Sequence, residues 1–209
     1  MAYREEMSNI VIIDFSHGVN TKGKQSPDGR IREGRWSREV GKRIGSDLAL
    51  LGFKVFEIIP EDDDIPLQKR CDRVNKIVKE HPNDKIIFIS LHINAAPGDG
   101  WDDKASGCSV YVCNDARKES VQLGRDYYEF VNKLNLQGNR SVPSEGVWRA
   151  NFKVLVGTQC PAILTENLFM TNHKEVDFLL SEKGKETIVN LHVLTVCKYF
   201  NVPCSMCLG

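Results

Sequence analysis

The sequence predicts an α/β protein: a single domain with a twisted mixed β-sheet of about six strands, flanked by helices. Three observations carry this. Short β-branched apolar runs alternate with amphipathic stretches of helical period, the pattern of a layered α/β domain. The chain has 209 residues, the size of one domain with its own core. Composition is that of an ordinary globular protein, with 41% hydrophobic residues, no repeats and no low-complexity segment.

Asn9 to Phe15 is a continuous apolar run and reads as a buried strand. It delivers Asp14, His17 and Gly18 at its end, ahead of a polar loop from Val19 to about Arg35. Trp36, Val40, Ile44, Leu48 and Leu51 recur every three to four residues and mark a helix. Gly52 stands where a left-handed residue ends such a helix. Phe53 to Ile59 alternates and predicts the next strand. Pro66 fits the first turn of a second helix whose inner face is Leu67, Cys71, Val74 and Val78.

Lys85 to Leu91 is another buried strand, with His92 and Asn94 just beyond it, and Cys108 to Cys113 is a further one. Residues 116–135 form a helix with Val121, Tyr128, Val131 and Leu134 inward, and residues 136–151 are irregular. Phe152 to Val156 is expected as a short strand and Pro161 to Thr165 as the last one. Asn172 followed by Glu175 has the spacing of a capping box opening a short helix. The final helix covers about Lys185 to Phe200, so the core spans about 9–200 and no linker divides the chain.

Charge and composition exclude several functions. Lys+Arg and Asp+Glu are both 28, so the chain lacks the basic footprint of a nucleic-acid binder. No apolar run has the length of a membrane span, so no membrane insertion is expected. Met1 to Ser8 is polar and shows no export signal. Seven cysteines in scattered positions suit reduced thiols better than a secreted disulfide framework. Cys204 and Cys207 form a CxxC, but with no second pair it is a weak metal signal.

Three polar groups sit at the ends of buried strands: His17, His92 and Glu166. That is where sites form in open α/β sheets. Two imidazoles and a carboxylate make a hydrolytic zinc set that leaves one position open. A second carboxylate then serves as general base, and Glu33 and Glu166 are the natural pair for the two roles. His81 and His173 fit polar surface turns, and His192 fits the core face of the last helix.

In these segments the sequence resembles the zinc-dependent N-acetylmuramoyl-L-alanine amidases of the amidase 3 type. IIDFSHG resembles the family's opening strand and metal loop, SLHINA its second histidine motif, and CPAILTENLFMTN its closing motif. Leu67, Arg70 and Asn75 match a helix before the second histidine strand, and Ser106-Gly107 leads into the next strand as in the family. The resemblance implies one zinc ion held by His17, Glu33 and His92, with Glu166 as the catalytic base. Glu39 is the other candidate for the carboxylate ligand; the family's spacing, counted back from Gly52, selects Glu33.

The same resemblance implies hydrolysis of the amide between N-acetylmuramic acid and L-alanine, with peptidoglycan as partner and a monomeric enzyme. It leaves a zinc peptidase acting elsewhere in the stem peptide, or an inactive wall-binding module, as rivals. Substrate-binding residues stay open: Trp101, Trp148 and Arg149 suit a groove or plain packing. The basic stretch Lys22, Lys24, Arg30, Arg32, Arg35, Arg38, Lys42 and Arg43 suits a solvated face or a cationic rim for stem-peptide carboxylates. The absent export signal and unpatterned cysteines point to a phage endolysin held in the host cytoplasm before release to the cell wall. The alternative is a periplasmic cell-separation amidase whose signal has been removed.

Overall fold

A computed structural model describes residues 7–204. Most of Met1 to Ser8, and Cys207 of the Cys204/Cys207 pair, lie outside the described residues. The elements run β1 (Asn9–Asp14), α1 (Glu33–Leu50), β2 (Lys54–Glu57), α2 (Leu67–Glu80), β3 (Lys85–Asn94), β4 (Ser109–Val112), α3 (Lys118–Lys133), β5 (Trp148–Arg149), α4 (Lys153–Val156), β6 (Ala162–Phe169), α5 (His173–Leu180) and α6 (Glu182–Phe200).

One six-stranded sheet has the order β2-β1-β3-β6-β4-β5. The first four strands are parallel, while β4 runs antiparallel to β6 and parallel to β5. The sheet is therefore mixed. From β1 the chain crosses to β2 on one side, then returns over β1 to β3 on the other. Right-handed crossovers place α1 and α2 on opposite faces. α1 packs against α6, and α6 against α3 and α5, while α2 packs against α4. Two covered faces explain why β1 and β3 read as continuous apolar runs: Ile10 to Ile13 and Ile87 to Ile89 are all buried. The winding reverses between β1 and β3, and in open sheets of this kind sites form at the carboxyl ends of the strands at such a point.

Several expectations are corrected. The fifth strand is Trp148–Arg149, inside the stretch read as irregular, and Phe152 to Val156 is not a strand. Trp148–Arg149 takes the edge of β4, and residues 153–156 do not join the sheet. They turn into α4, whose following glycine, Gly157, packs on Cys71 of α2. β3 and β6 both run further than their apolar runs, so His92, Asn94 and Glu166 lie within strands rather than beyond them. The ladder between β3 and β6 holds those polar residues in extended backbone. Glu33 is the first residue of α1, not a residue ahead of it.

Side-chain burial differs at three places. Leu67 is exposed, because it stands at the first position of α2, before the helix meets the sheet. His81 is half-buried, resting near Phe56 and bonded through Nδ1 to Asp84. Arg38 is buried, donating to the carbonyls of His17, Gly34 and Glu61. No described helix is long and apolar enough to cross a membrane.

The Asn172 cap forms as expected, its side chain accepting from the Glu175 amide. The Glu175 carboxylate does not complete the box. It accepts instead from the amides of Gly107 and Phe169, tying the end of β6 to the loop before β4.

Candidate metal centre

His17 follows β1 by three residues, after Ser16 in a left-handed conformation (φ 62°). The loop is clamped from two sides. Side chains at Gly18 or Gly34 would collide with backbone at Asp64 and at Gly18, respectively. Gly18 is thus demanded by close approach of the His17 loop to the backbone of residues 62–64, and Gly34 by close approach of the same loop to the start of α1. That approach carries Glu33 to His17: Glu33 Oε2 lies 3.6 Å from His17 Nε2.

Glu33 also meets β3. Its Oε1 accepts from His92 Nδ1 at 2.9 Å and from the Ile93 amide at 3.1 Å. The two imidazoles stand edge to face, 5.2 Å apart. One ligand atom from each of His17, Glu33 and His92 fits within a 4.8 Å cluster. Glu39 is excluded from it: it lies on an exposed face of α1, bonded to Arg43 and Lys185.

The far nitrogen of His92 is held by a relay. Nε2 meets Ser90 Oγ at 3.1 Å, Ser90 Oγ donates to Asp14 at 2.6 Å, and Asp14 pairs with the buried Arg70 at 3.1 Å. Arg70 also donates to the Ser16 and Ile65 carbonyls and to Asp64. Asp64 Oδ2 in turn lies 3.7 Å from His17 Nδ1. Partners of this kind fix the orientation of ligating imidazoles.

Glu166 stands beside this group. It is the register partner of His92 across β3 and β6, and of Ser109 across β6 and β4. Immediately after it, two residues of β6 oppose Ile93 alone, and the extra residue, Leu168, takes a left-handed φ of 65°. This bulge buries Asn167. Asn167 donates to the His92 carbonyl at 2.9 Å and accepts from the Tyr127 hydroxyl at 2.9 Å.

Electrostatics separate the two carboxylates. Burial pushes the Glu166 carboxyl up to about 7; the Glu33 charge adds to this, while His92, Lys24 and Arg140 oppose it. For Glu33 burial also acts upward, but the hydrogen bond and charge of His92, with the charge of His17, hold it below the usual carboxylate range. Burial lowers His17 to about 4, with His92 adding and Glu33 opposing. His92 goes up despite burial, because it bonds to Glu33.

The donor set fits a metal ion. Glu33 Oε2 and Glu166 Oε2 are buried without a hydrogen-bond partner, a costly state for a carboxylate oxygen. A cation among His17, Glu33 and His92 satisfies the first, and a polar group beside that cation satisfies the second. Two histidines and a glutamate are a zinc-type donor set.

The family profile described as N-acetylmuramoyl-L-alanine amidase matches residues 11–198. The chain belongs to this family. It is a peptidoglycan amidase. It is 26% identical to an endolysin of Bacillus phage SPP1, over 94% of this chain and 68% of that protein. It is 24% identical to the N-acetylmuramoyl-L-alanine amidase AmiC of Neisseria meningitidis, over 92% of this chain and 53% of that protein. Among solved structures, the N-acetylmuramoyl-L-alanine amidase of Clostridium difficile 630 superposes with a TM-score of 0.77 at 24% identity, covering 94% of this chain and 99% of that one. The catalytic domain of the amidase CwlV from Bacillus (Paenibacillus) polymyxa gives 0.75 at 21% identity, covering 93% and 99%.

The other singled-out residues fall elsewhere in this amidase. His192 is fully buried, bonded to the Ile188 carbonyl and near Thr165. His173 is exposed, and Trp101 stacks on it at 3.8 Å. Arg149 is held by Glu145 and the Asn114 carbonyl. Trp148 packs on Tyr128 and Tyr111. Sequence reasoning placed Asn167 only as the residue after Glu166 in the closing motif, and it missed the Ser90–Asp14–Arg70 relay as a unit and Arg140. Each is a polar residue in a motif or loop whose neighbours drew the attention, and only the fold brings it to the site.

Proposed function

We propose that the amidase works with one zinc ion held by His17, Glu33 and His92, and that Glu166 is its general base and acid. The bond cut is the amide between the lactyl group of N-acetylmuramic acid and L-alanine. The single observation that carries this is the convergence of three zinc-type donors on one cluster, with a buried carboxylate oxygen of Glu166 left unpartnered beside it.

Zinc, when bound, supplies Lewis-acid polarisation of the scissile carbonyl and makes water a stronger acid. Glu166 takes the proton of the attacking water and then returns it to the leaving amine nitrogen. Burial raises the Glu166 carboxyl in the metal-free protein, which makes it a better proton acceptor than an exposed carboxylate and so suits it to taking and returning a proton. Glu33, kept ionised, supplies the negative charge of the ligand set. The Ser90–Asp14–Arg70 relay keeps His92 Nδ1 turned to the cluster. Asn167 fixes the His92 backbone against β6, so the base and one ligand are carried as a pair.

The biological role we propose is lysis of a bacterial host by a phage: a monomer stored in the host cytoplasm and released to the wall. Its support is the similarity to the SPP1 endolysin along almost the whole chain, and the free thiols of Cys71, Cys108, Cys113 and Cys160, which suit a reducing compartment. The deciding experiment is mass spectrometry of digested peptidoglycan, with metal analysis of the same protein. New L-alanine amino termini and one zinc per chain are expected. Cleavage within the stem peptide, or full activity without metal, would overturn the mechanism. A natural gene with an export leader ahead of this sequence would overturn the lytic role.

A further inference from the structure

Three arginines of the cationic stretch between Lys22 and Arg43 are engaged by the fold's own groups. Arg38 is buried on carbonyls. Arg30 is held by Asp28 and Asp177, and Arg43 by Glu39 and Glu182. Lys24 of that stretch still acts on Glu166 and His17, and a second cation, Arg140, acts on Glu166 from the loop between α3 and β5.

Arg140 Nη1 donates to Ser109 Oγ at 3.1 Å and to the Tyr111 hydroxyl at 3.0 Å. Its guanidinium lies over Trp148, 5.0 Å from the ring centre, and beside Tyr111 at 5.9 Å. These contacts fix the group in place. Ser109 is the register partner of Glu166, so Arg140 is anchored one strand from the proposed base. Both bonds leave from Nη1, so the donors on Nη2 and Nε are not used by Ser109 or Tyr111.

Arg140 lines an open groove of about 400 Å³ with Asn94, Asp102, Lys104, Tyr111 and Phe169. Asn94 and Phe169 are the last residues of β3 and β6, so the groove begins where the strands bearing His92 and Glu166 end. Asp102 also lines it, with its Oδ1 accepting from the amides of Lys104 and Ala105. The groove thus offers a rigid guanidinium fork and a lysine beside the proposed centre of hydrolysis.

We propose that Arg140 is a specificity residue, which binds a free carboxylate of the stem peptide on the leaving-amine side of the scissile bond. This rests on the amidase mechanism proposed above. A guanidinium fork matches a carboxylate in two parallel hydrogen bonds, and a carboxamide cannot accept both. The enzyme should therefore discriminate stem peptides with a free carboxylate from those amidated at the same position. The carboxylate can belong to the second or the third residue of the stem peptide.

The test uses three synthetic muramoyl peptides: free acid, amidated at the second residue only, and amidated at the third only. For the zinc-loaded wild-type enzyme, one of the two amidations should lower kcat/KM by about 10- to 100-fold, the worth of a charge-assisted hydrogen bond. Whichever amidation does so identifies the residue that Arg140 binds. Arg140→Gln should lose that factor on the free acid and become indifferent to amidation, and Arg140→Lys should recover part of the discrimination. Zinc content and the thermal midpoint of each variant check its fold. Equal losses for Arg140→Gln on all three substrates would reduce Arg140 to support of Glu166 and overturn the proposal. Wild-type turnover without discrimination would overturn it alone, whereas no turnover of any of the three would overturn the amidase mechanism as well.

Discussion

Replacing Glu166 by Gln should stabilise the metal-free protein, and increasingly so as pH rises. The folded protein holds the Glu166 carboxyl at about 7 against an ordinary value of 4.5. Between those values the folded state keeps a proton that the unfolded chain has lost. Stability is therefore full below 4.5, falls as pH rises through this window, and stays reduced above 7. A tenfold change in proton affinity is worth about 1.4 kcal/mol, so the cost is about 1 kcal/mol at pH 5 and about 3 kcal/mol at pH 8. Gln cannot ionise and escapes this cost. Urea unfolding of both proteins in chelator, at steps from pH 5 to pH 8, measures the difference. Taking the difference matters, because His17, lowered to about 4, gives both proteins an opposite slope, with stability gained as pH rises from about 4 to 6.5. Loading with zinc should shrink the gain, since a nearby cation favours the carboxylate. A difference independent of pH, or a Gln variant less stable at pH 8 than at pH 5 relative to wild type, would refute the reasoning.

Three further outcomes follow from the site. Glu166→Gln should retain zinc by metal analysis while losing about 10²–10⁴-fold in turnover, the usual share of general acid–base catalysis; His92→Ala should lose both. Glu33→Ala should release zinc at a lower chelator concentration, whereas Glu39→Ala, which only frees Arg43 and Lys185 on the surface, should titrate like wild type. Asn167→Ala leaves the buried Tyr127 hydroxyl and the His92 carbonyl without their partner. It should cost about 1–3 kcal/mol in chemical denaturation, and Tyr127→Phe in that background should add little.

The parallel centre of the sheet was legible because both of its faces are covered. Complete burial writes β1 and β3 as unbroken apolar runs, and the same signal flags the residues at their ends. His17, His92 and Glu166 were singled out that way as candidates, and the family's spacing, counted back from Gly52, favoured Glu33, which the fold does bring beside His17 and His92 while Glu39 stays on the surface. The edge was less legible. Trp148–Arg149 is two residues long and leaves no period to read. Val154 and Leu155 look like a strand but fold as a helical turn that buries both against the core. The bulge after Glu166 was invisible for a related reason. It depends on the count of residues opposite Ile93, which is a property of two strands together. Arg38 and Arg140 changed places in importance for the same cause: a basic side chain is a rim or a buried clamp according to what the fold sets against it.

The four side chains of the proposed centre, at 17, 33, 92 and 166, are brought together by the end of β1, the start of α1, and β3 and β6 in register. Such pairings close long loops and form late on the path to the native state. A metal ion held by His17, Glu33 and His92 therefore finds no local nest in the nascent chain and cannot act as a folding nucleus. Its grip belongs to a state in which the sheet is already assembled. Interactions absent from the transition state slow unfolding and leave the folding rate nearly untouched. A zinc ion at the proposed centre would thus be a brake on loss of structure: the metal-free protein is expected to fold as fast as the loaded one and to unfold faster.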